Sequence, residues 1–320
     1  MPAVPRVTVI LNAASGHYDT QRAASEIQAG FDEAGCPCRL IVADGPGEVE
    51  KQARRAVAEA RGLAQGAASP AEEQWPVVAA AGGDGTINLV AGIVLEAEVA
   101  FGLIPLGTFN FLGRNLGIPL EPRAAAVALA TGVIRRIHVG RVNGNLFLNN
   151  ASFGLYRQLL EEREGYKRRF GRYKIVAAFA AVATLLRFNK VYTLRLDLDG
   201  RPVAIQTPMV FFGLNSLQFE KLGMDAARCT QAGMMAVITL QPTGFWQLLA
   251  LMMRGALQQL HDSPDMRTHC ASQVQVLLPG RRRMRVAVDG ESLACRLPLQ
   301  FEVVRDALPI VVPREPEERK

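Results

Sequence analysis

The sequence predicts an α/β N-terminal domain on a doubly wound parallel sheet, followed by a β-rich C-terminal domain. Three observations lead there. Apolar runs and helical patterns alternate over the first part of the chain, and a loop rich in glycine or polar residues follows each run. From about Ile134 the pattern changes to short alternating segments separated by turn residues. The length of 320 residues exceeds what one hydrophobic core usually spans, so two domains are expected, divided at 133/134.

The elements follow in order. "RVTVILN" reads as a first strand, "AASGHYD" as its loop, and "AASEIQAGFDEAG" as a helix with Ile27 and Phe31 four apart and a stop at Gly35. "CRLIVA" is a second strand, "GEVEKQARRAVAEARG" a second helix, and Gly62 to Pro76 a loop. "VVAAA" is a buried third strand followed by a glycine loop and helix, and "VAFGLIP" is a fourth strand. This is the order of a Rossmann-like sheet. Beyond Ile134, "YTLRLDLDG" and "MRVAVDGE" alternate as half-buried strands do, and one long helix is expected from Tyr166 to Arg187.

Composition narrows the function classes. Hydrophobic residues make up 49% of the chain, but the longest uninterrupted run, Ile175 to Leu186, is too short to cross a bilayer. The first residues lack the succession of an export leader, so a cytoplasmic protein is expected. Five cysteines, odd in number and mostly far apart, argue against a disulfide framework. The four histidines have no metal-ligand spacing. The net charge of +6 is concentrated in "YKRRFGRYK" and "RRRMR", neither of which lies on a nucleic-acid-binding pattern, so nucleic acid is not an expected partner. Arg168, Arg169, Arg172 and Lys174, with Tyr166, Phe170 and Tyr173, suit an interfacial segment or the solvated start of a core helix. The arginines of "RRRMR" alternate with Met284, Val286 and Val288, as on a strand facing phosphates or water.

Two stretches carry candidate chemistry. In "GGDGT", glycines at 82, 83 and 85 would permit positive φ and close approach, while the following helix aims its amides at the same place. That is a phosphate cradle, or else a tight turn capped by Asp84 or Thr86. It is neither a Walker loop nor a GxGxxG. In "VDGE", Asp289 and Glu291 offer carboxylates, or else "DG" is simply a hairpin turn.

Taken in order, "LNAASG", "GGDGT", "IPLGTFNFLGRNLGIP", "FLNNASFGL", "RRFGRYKIVAAFAAV", "VDGE" and "LPLQFEVVRDALPIVVP" resemble the diacylglycerol kinase catalytic-domain family. These are bacterial lipid kinases related to sphingosine kinases and, more distantly, to NAD kinases. The resemblance implies a β-sandwich second domain over 134–300, with a tail, 301–320, that returns to the first. It implies ATP and Mg2+ as cofactors. Asn12, Ser15, Gly16, Gly82, Gly83, Asp84, Gly85, Thr86, Asn88, Gly107, Thr108 and Asn110 would lie by the nucleotide. Asp84 would hold the Mg2+ bridging the phosphates, so that Asp84→Asn folds normally and loses turnover. Asp289 or Glu291 would accept the proton of the substrate hydroxyl.

The chain departs from the family pattern in places. Phe111 stands where an acid often follows Asn110, and Gln231, Ala232 and Ala236 replace the acids of a structural Mg2+ site, which is therefore expected to be absent. The reading is an ATP-dependent kinase acting on a lipid hydroxyl, diacylglycerol-like, peripheral at an anionic inner membrane surface, with a homodimer open. The alternatives are an NAD kinase-like enzyme and a weakened homologue that binds nucleotide or lipid.

Overall fold

The structure is a computed structural model. It describes residues 6–14, 19–66, 75–97, 99–155, 191–221, 224, 226–242, 244–256 and 263–314. The helix expected over Tyr166 to Arg187 lies outside them. Contacts divide the chain into one unit of residues 1–139 with 305–320 and a second of residues 140–304.

The first unit is the α/β domain. Its strands β1 (Val7–Asn12), β2 (Cys38–Ala43), β3 (Val77–Gly82) and β4 (Ala100–Pro105) run parallel in the order β2-β1-β3-β4. Strands β3 and β4 are buried at every position, as strands covered on both faces must be. The cover is α1 (Thr20–Glu33) packed with α5 (Pro122–Thr131), and α2 (Gly45–Gly66) packed with α3 (Asp84–Val94). Asp19 caps α1 by accepting the Arg22 N–H at 2.9 Å, and Gly35 ends it at φ +61°. The buried stripe of α1 is Ala23, Ile27, Gly30 and Phe31. Helix α2 runs to Gly66, past the stop expected at Gly62. A short α4 (Phe111–Asn115) follows β4.

The second unit is a β-sandwich. One sheet pairs β16 (Leu299–Val312), β13 (Gln273–Leu277), β8 (Tyr192–Leu198) and β9 (Arg201–Thr207); β5 (Val133–Val142), which begins in the first unit, pairs with β16, and β6 (Asn145–Phe147) pairs with β5. The other has the order β12-β11-β10-β7-β14-β15. These are β12 (Met266–Ala271), β11 (Met235–Leu240), β10 (Met209–Gly213), β7 (Asn150–Gly154), β14 (Arg283–Val288) and β15 (Glu291–Arg296). Alternate residues of both sheets meet in one core, among them Phe147, Leu196, Val276 and Phe301 from the first and Phe153, Phe212, Val237 and Val286 from the second. Phe212 and Phe301 stack across it, centroids 3.7 Å apart.

Short helices cover one end of the outer face of the second sheet. Helices α6 (Ser216–Lys221) and α7 (Ala227–Gln231) pack there with Phe211, Phe219, Ala236 and Ile238, and α8 (Phe245–Ala256) seats Leu248 beside Leu155 and Leu240. Cys229 of α7 is joined to Cys270 of β12, their Cα atoms 5.1 Å apart. This corrects the expectation from spacing. The partners lie 41 residues apart and meet only because β12 pairs with β11 beside α7. At 231 to 236, Gln231 and Ala232 are exposed, and Ala236 is buried in the cluster that holds Cys229.

Candidate active site

The strand order of the first unit reverses between β1 and β3, which is where doubly wound sheets bind ligands, beyond the carboxyl ends of the strands. Asn12 ends β1 and Gly82 ends β3. The buried Asn12 side chain spans the reversal, donating from Nδ2 to Thr86 Oγ1 at 2.8 Å while its Oδ1 accepts the Ala14 amide at 3.0 Å. Ser15 and Gly16 lie outside the described residues.

The glycines of "GGDGT" serve packing and not the positive φ expected of them. None of Gly82, Gly83 and Gly85 has a positive φ. A Cβ on Gly82 would lie 2.8 Å from the Thr86 side chain, and one on Gly107 would lie 2.8 Å from the Gly83 Cα. Two backbones therefore touch where side chains would hold them apart. Helix α3 starts on Gly83 with no side-chain cap, so neither Asp84 nor Thr86 plays the capping part. Its first intrahelical bond is Ile87 N–H to Gly83 C=O at 3.0 Å, leaving the Gly85 and Thr86 amides ahead of the ladder at the positive end of the helix dipole. Gly85 is exposed, and Asn88 is half-buried one turn on.

Asp84 ties this loop to the next. Its Oδ2 accepts the Asn110 amide at 3.0 Å and its Oδ1 accepts the Phe111 amide at 2.9 Å. Burial pushes the Asp84 carboxyl above the usual carboxylate range, and the Phe111 and Asn110 amides oppose that shift. Asn110 is in the left-handed region at φ 51°, with its side chain closed on Gly107: Oδ1 accepts the Gly107 N–H and Nδ2 donates to the Gly107 C=O, both at 2.9 Å. Asn12, Asp84 and Asn110 thus set backbone, and Thr108 stands exposed between them. Phe111 supplies an amide to Asp84 and stacks its ring on Phe109, centroids 5.3 Å apart.

In the second unit, Asp289 and Gly290 form the two-residue turn joining β14 to β15, at φ 45° and 94°, with Val288 paired to Glu291. The hairpin reading of "DG" holds, but the Asp289 side chain does more than turn. Its Oδ2 accepts the Leu148 amide at 2.6 Å, and its Oδ1 accepts the amides of Asn149 at 2.9 Å and Asn150 at 2.8 Å. Asn149 in turn accepts from Asn215 Nδ2 at 3.1 Å. Glu291 is exposed at the start of β15. Reasoning from sequence did not assign this asparagine pair a role. The signal was the "NN" doublet before an apolar strand, and its partner lies about 140 residues away.

Among the described residues no three histidine, cysteine, aspartate or glutamate side chains cluster as metal ligands do. Of the described candidate-site residues in the first unit, Asp84 is the carboxylate that could meet a cation. With the Asn110, Phe111 and Asp84 amides on its carboxylate, about one of its roughly four lone-pair sites remains. That fits a Mg2+ carried in by phosphates, which supply the other oxygens, and does not fit a resident ion.

Comparisons with known proteins point in one direction. Residues 6–142 match the family described as the diacylglycerol kinase catalytic domain. A diacylglycerol kinase of Staphylococcus saprophyticus is 24% identical over 317 residues, covering 97% of this chain and 96% of its own. One from Staphylococcus aureus is 29% identical over 228 residues, covering 69% and 66%. The crystal structure of a diacylglycerol kinase from Bacillus anthracis Sterne superposes with a TM-score of 0.70 over 98% of both chains, at 17% identity, which shows a shared fold. Over residues 6–142, a little under half of its length, the chain is similar to the diacylglycerol kinase catalytic-domain family, which supports a kinase-type function.

Proposed function

We propose that this protein transfers the γ-phosphoryl group of Mg2+-bound ATP to the hydroxyl of a diacylglycerol-like lipid at an anionic membrane surface. The observation that carries the reading is the switch-point loop. The Gly85 and Thr86 amides precede the helical ladder, and glycine packing keeps the loop bare of side chains, as a phosphate requires. Asp84 and Asn110 act by holding that loop in shape. Mg2+ would supply charge neutralisation between the phosphates, with Asp84 its one protein carboxylate.

On the acceptor side, phosphoryl transfer has a loose transition state in which orienting the hydroxyl counts for more than basicity. Asp289, fixed by three amides, is the positioned carboxylate of the "DGE" turn, and Glu291 is the solvated one. We assign the orienting role to Asp289. The family match favours a lipid acceptor, and no observation favours NAD.

The test is a labelled-ATP assay on a panel of lipids in mixed micelles, with NAD as the soluble control. Label in a lipid and none in NAD is the expected result. Label in NAD alone would replace this reading.

A further inference from the structure

The edge hairpin β14–β15 carries a feature that neither packing nor the proposed chemistry uses. Its inner face, Met284, Val286, Leu293 and Cys295, belongs to the sandwich core. Its outer face presents Arg283 and Arg285 on β14, with Arg296 directly opposite Arg283 on β15. All three are exposed, as are Arg281 and Arg282 in the preceding turn. The remaining outward positions of β15 are Ala294 and Ser292, so nothing bulky screens the guanidinium groups.

Like charges directly opposite on antiparallel strands repel. Among the described residues, no ion pair involves any of the five arginines. Of the described helices, α6, α7 and α8 pack at the β10 to β12 end of the same sheet face, and the arginine positions of β14 and β15 stay exposed. This exposed arginine face is complementary to a dense anionic surface. The hairpin that carries it ends in the Asp289–Gly290 turn, beyond the buried Ala287.

We propose that the outer face of β14–β15, through Arg283, Arg285 and Arg296, docks on an anionic lipid bilayer and presents the Asp289 turn to that surface. This rests on the lipid reading above and names the surface that such a substrate would require. Each arginine meets lipid phosphates as a planar donor, and together they hold the protein reversibly.

The experiment co-sediments the full chain with phosphatidylcholine vesicles, with and without phosphatidylglycerol, in the absence of nucleotide and acceptor lipid. Wild type should bind the anionic vesicles, and added salt should weaken binding. The variant with Arg283→Gln, Arg285→Gln and Arg296→Gln should lose affinity on the order of 100-fold, at about 1 kcal/mol per arginine, while the matching triple lysine variant keeps most of it. Arg296→Gln alone should melt no lower than wild type, because it removes the Arg283–Arg296 opposition.

Unchanged vesicle binding by the triple glutamine variant, equal binding of wild type to neutral vesicles, or tighter binding to duplex DNA or RNA than to anionic vesicles would each overturn the proposal. The two readings fail separately. Docking that behaves as described with no lipid phosphorylated removes the kinase assignment and keeps the surface. Phosphorylation of a short-chain soluble acceptor, together with undisturbed vesicle binding by the triple glutamine variant, removes the surface alone.

Discussion

Two aspartates that look alike in sequence, each beside glycine in a turn, do similar work in different settings. Asp84 sits at the head of α3 in the first unit and holds two amides of the following loop. Asp289 sits at the tip of a hairpin in the second unit and holds three amides that precede β7. Both look catalytic from sequence, and both turn out to organise backbone that comes from far along the chain. They differ in what they leave open. The Asp84 loop leaves helix amides ahead of the hydrogen-bond ladder, an arrangement that suits an anion. The Asp289 turn leaves an exposed carboxylate, Glu291, two residues on. A carboxylate near a glycine loop therefore marks where backbone is being shaped, and the chemistry follows from the groups it sets in place.

The largest expected effect is at Asp289. Asp289→Ala deprives three amides of their acceptor and puts a β-carbon residue without polar compensation at positive φ, and should lower stability by about 3 kcal/mol in urea unfolding. Asp289→Asn keeps one oxygen and should cost less, while still abolishing turnover if the carboxylate orients the hydroxyl. If Asp289→Ala unfolds like wild type, the three-amide account of the turn is broken.

Asp84→Asn comes next. A carboxamide offers one acceptor to two amide donors and turns its own N–H groups onto the second, so we expect a loss of about 1–3 kcal/mol together with the loss of activity. This revises the expectation from sequence that the variant folds normally. A substitution silent in thermal melting but inactive would return Asp84 to a purely electrostatic role.

Gly107→Ala should cost a similar or smaller amount, about 1–3 kcal/mol, because the new Cβ would lie 2.8 Å from the Gly83 Cα. It should raise KM for ATP by parting the two loops, and an unchanged KM would show that their contact does not shape the nucleotide site. Smallest of all, Glu291→Gln should stay within about 0.5 kcal/mol of wild-type stability, as exposed positions do. Its turnover decides between the two carboxylates: near-normal activity leaves the acceptor role with Asp289, and a loss as deep as that of Asp289→Asn moves it to Glu291.

What the sequence revealed and what it hid divide along the range of the interactions. Strands β1, β3 and β4 were legible because a buried parallel strand is an unbroken apolar run, and the Asp289–Gly290 turn because hairpin chemistry is local. The need for glycine at 82 was legible, but its reason was not. The crowding comes from Thr86 packing back over the strand end and not from φ. Asp84 finds its partners 26 and 27 residues on, and Asp289 finds its partners about 140 residues back. No local pattern encodes such a pairing. The Cys229–Cys270 pair was hidden for the same reason, since only the β11–β12 ladder brings the two cysteines together.

Strand β16 has a consequence for how the protein is made. Its residues up to Val304 belong to the second unit, and from Arg305 onward they belong to the first, where Ile310 pairs with Phe101 of β4. On the ribosome, β1 to β4 emerge early, but the strand that closes the β4 side of their sheet is translated only after the whole sandwich. Until then the nascent chain carries an open, apolar strand edge, the kind that recruits other unfinished chains. A premature stop just before Arg305 would thus do worse than shorten the protein. It would leave the first unit permanently unfinished, and such a product belongs to chaperones and proteases and not to the pool of folded protein.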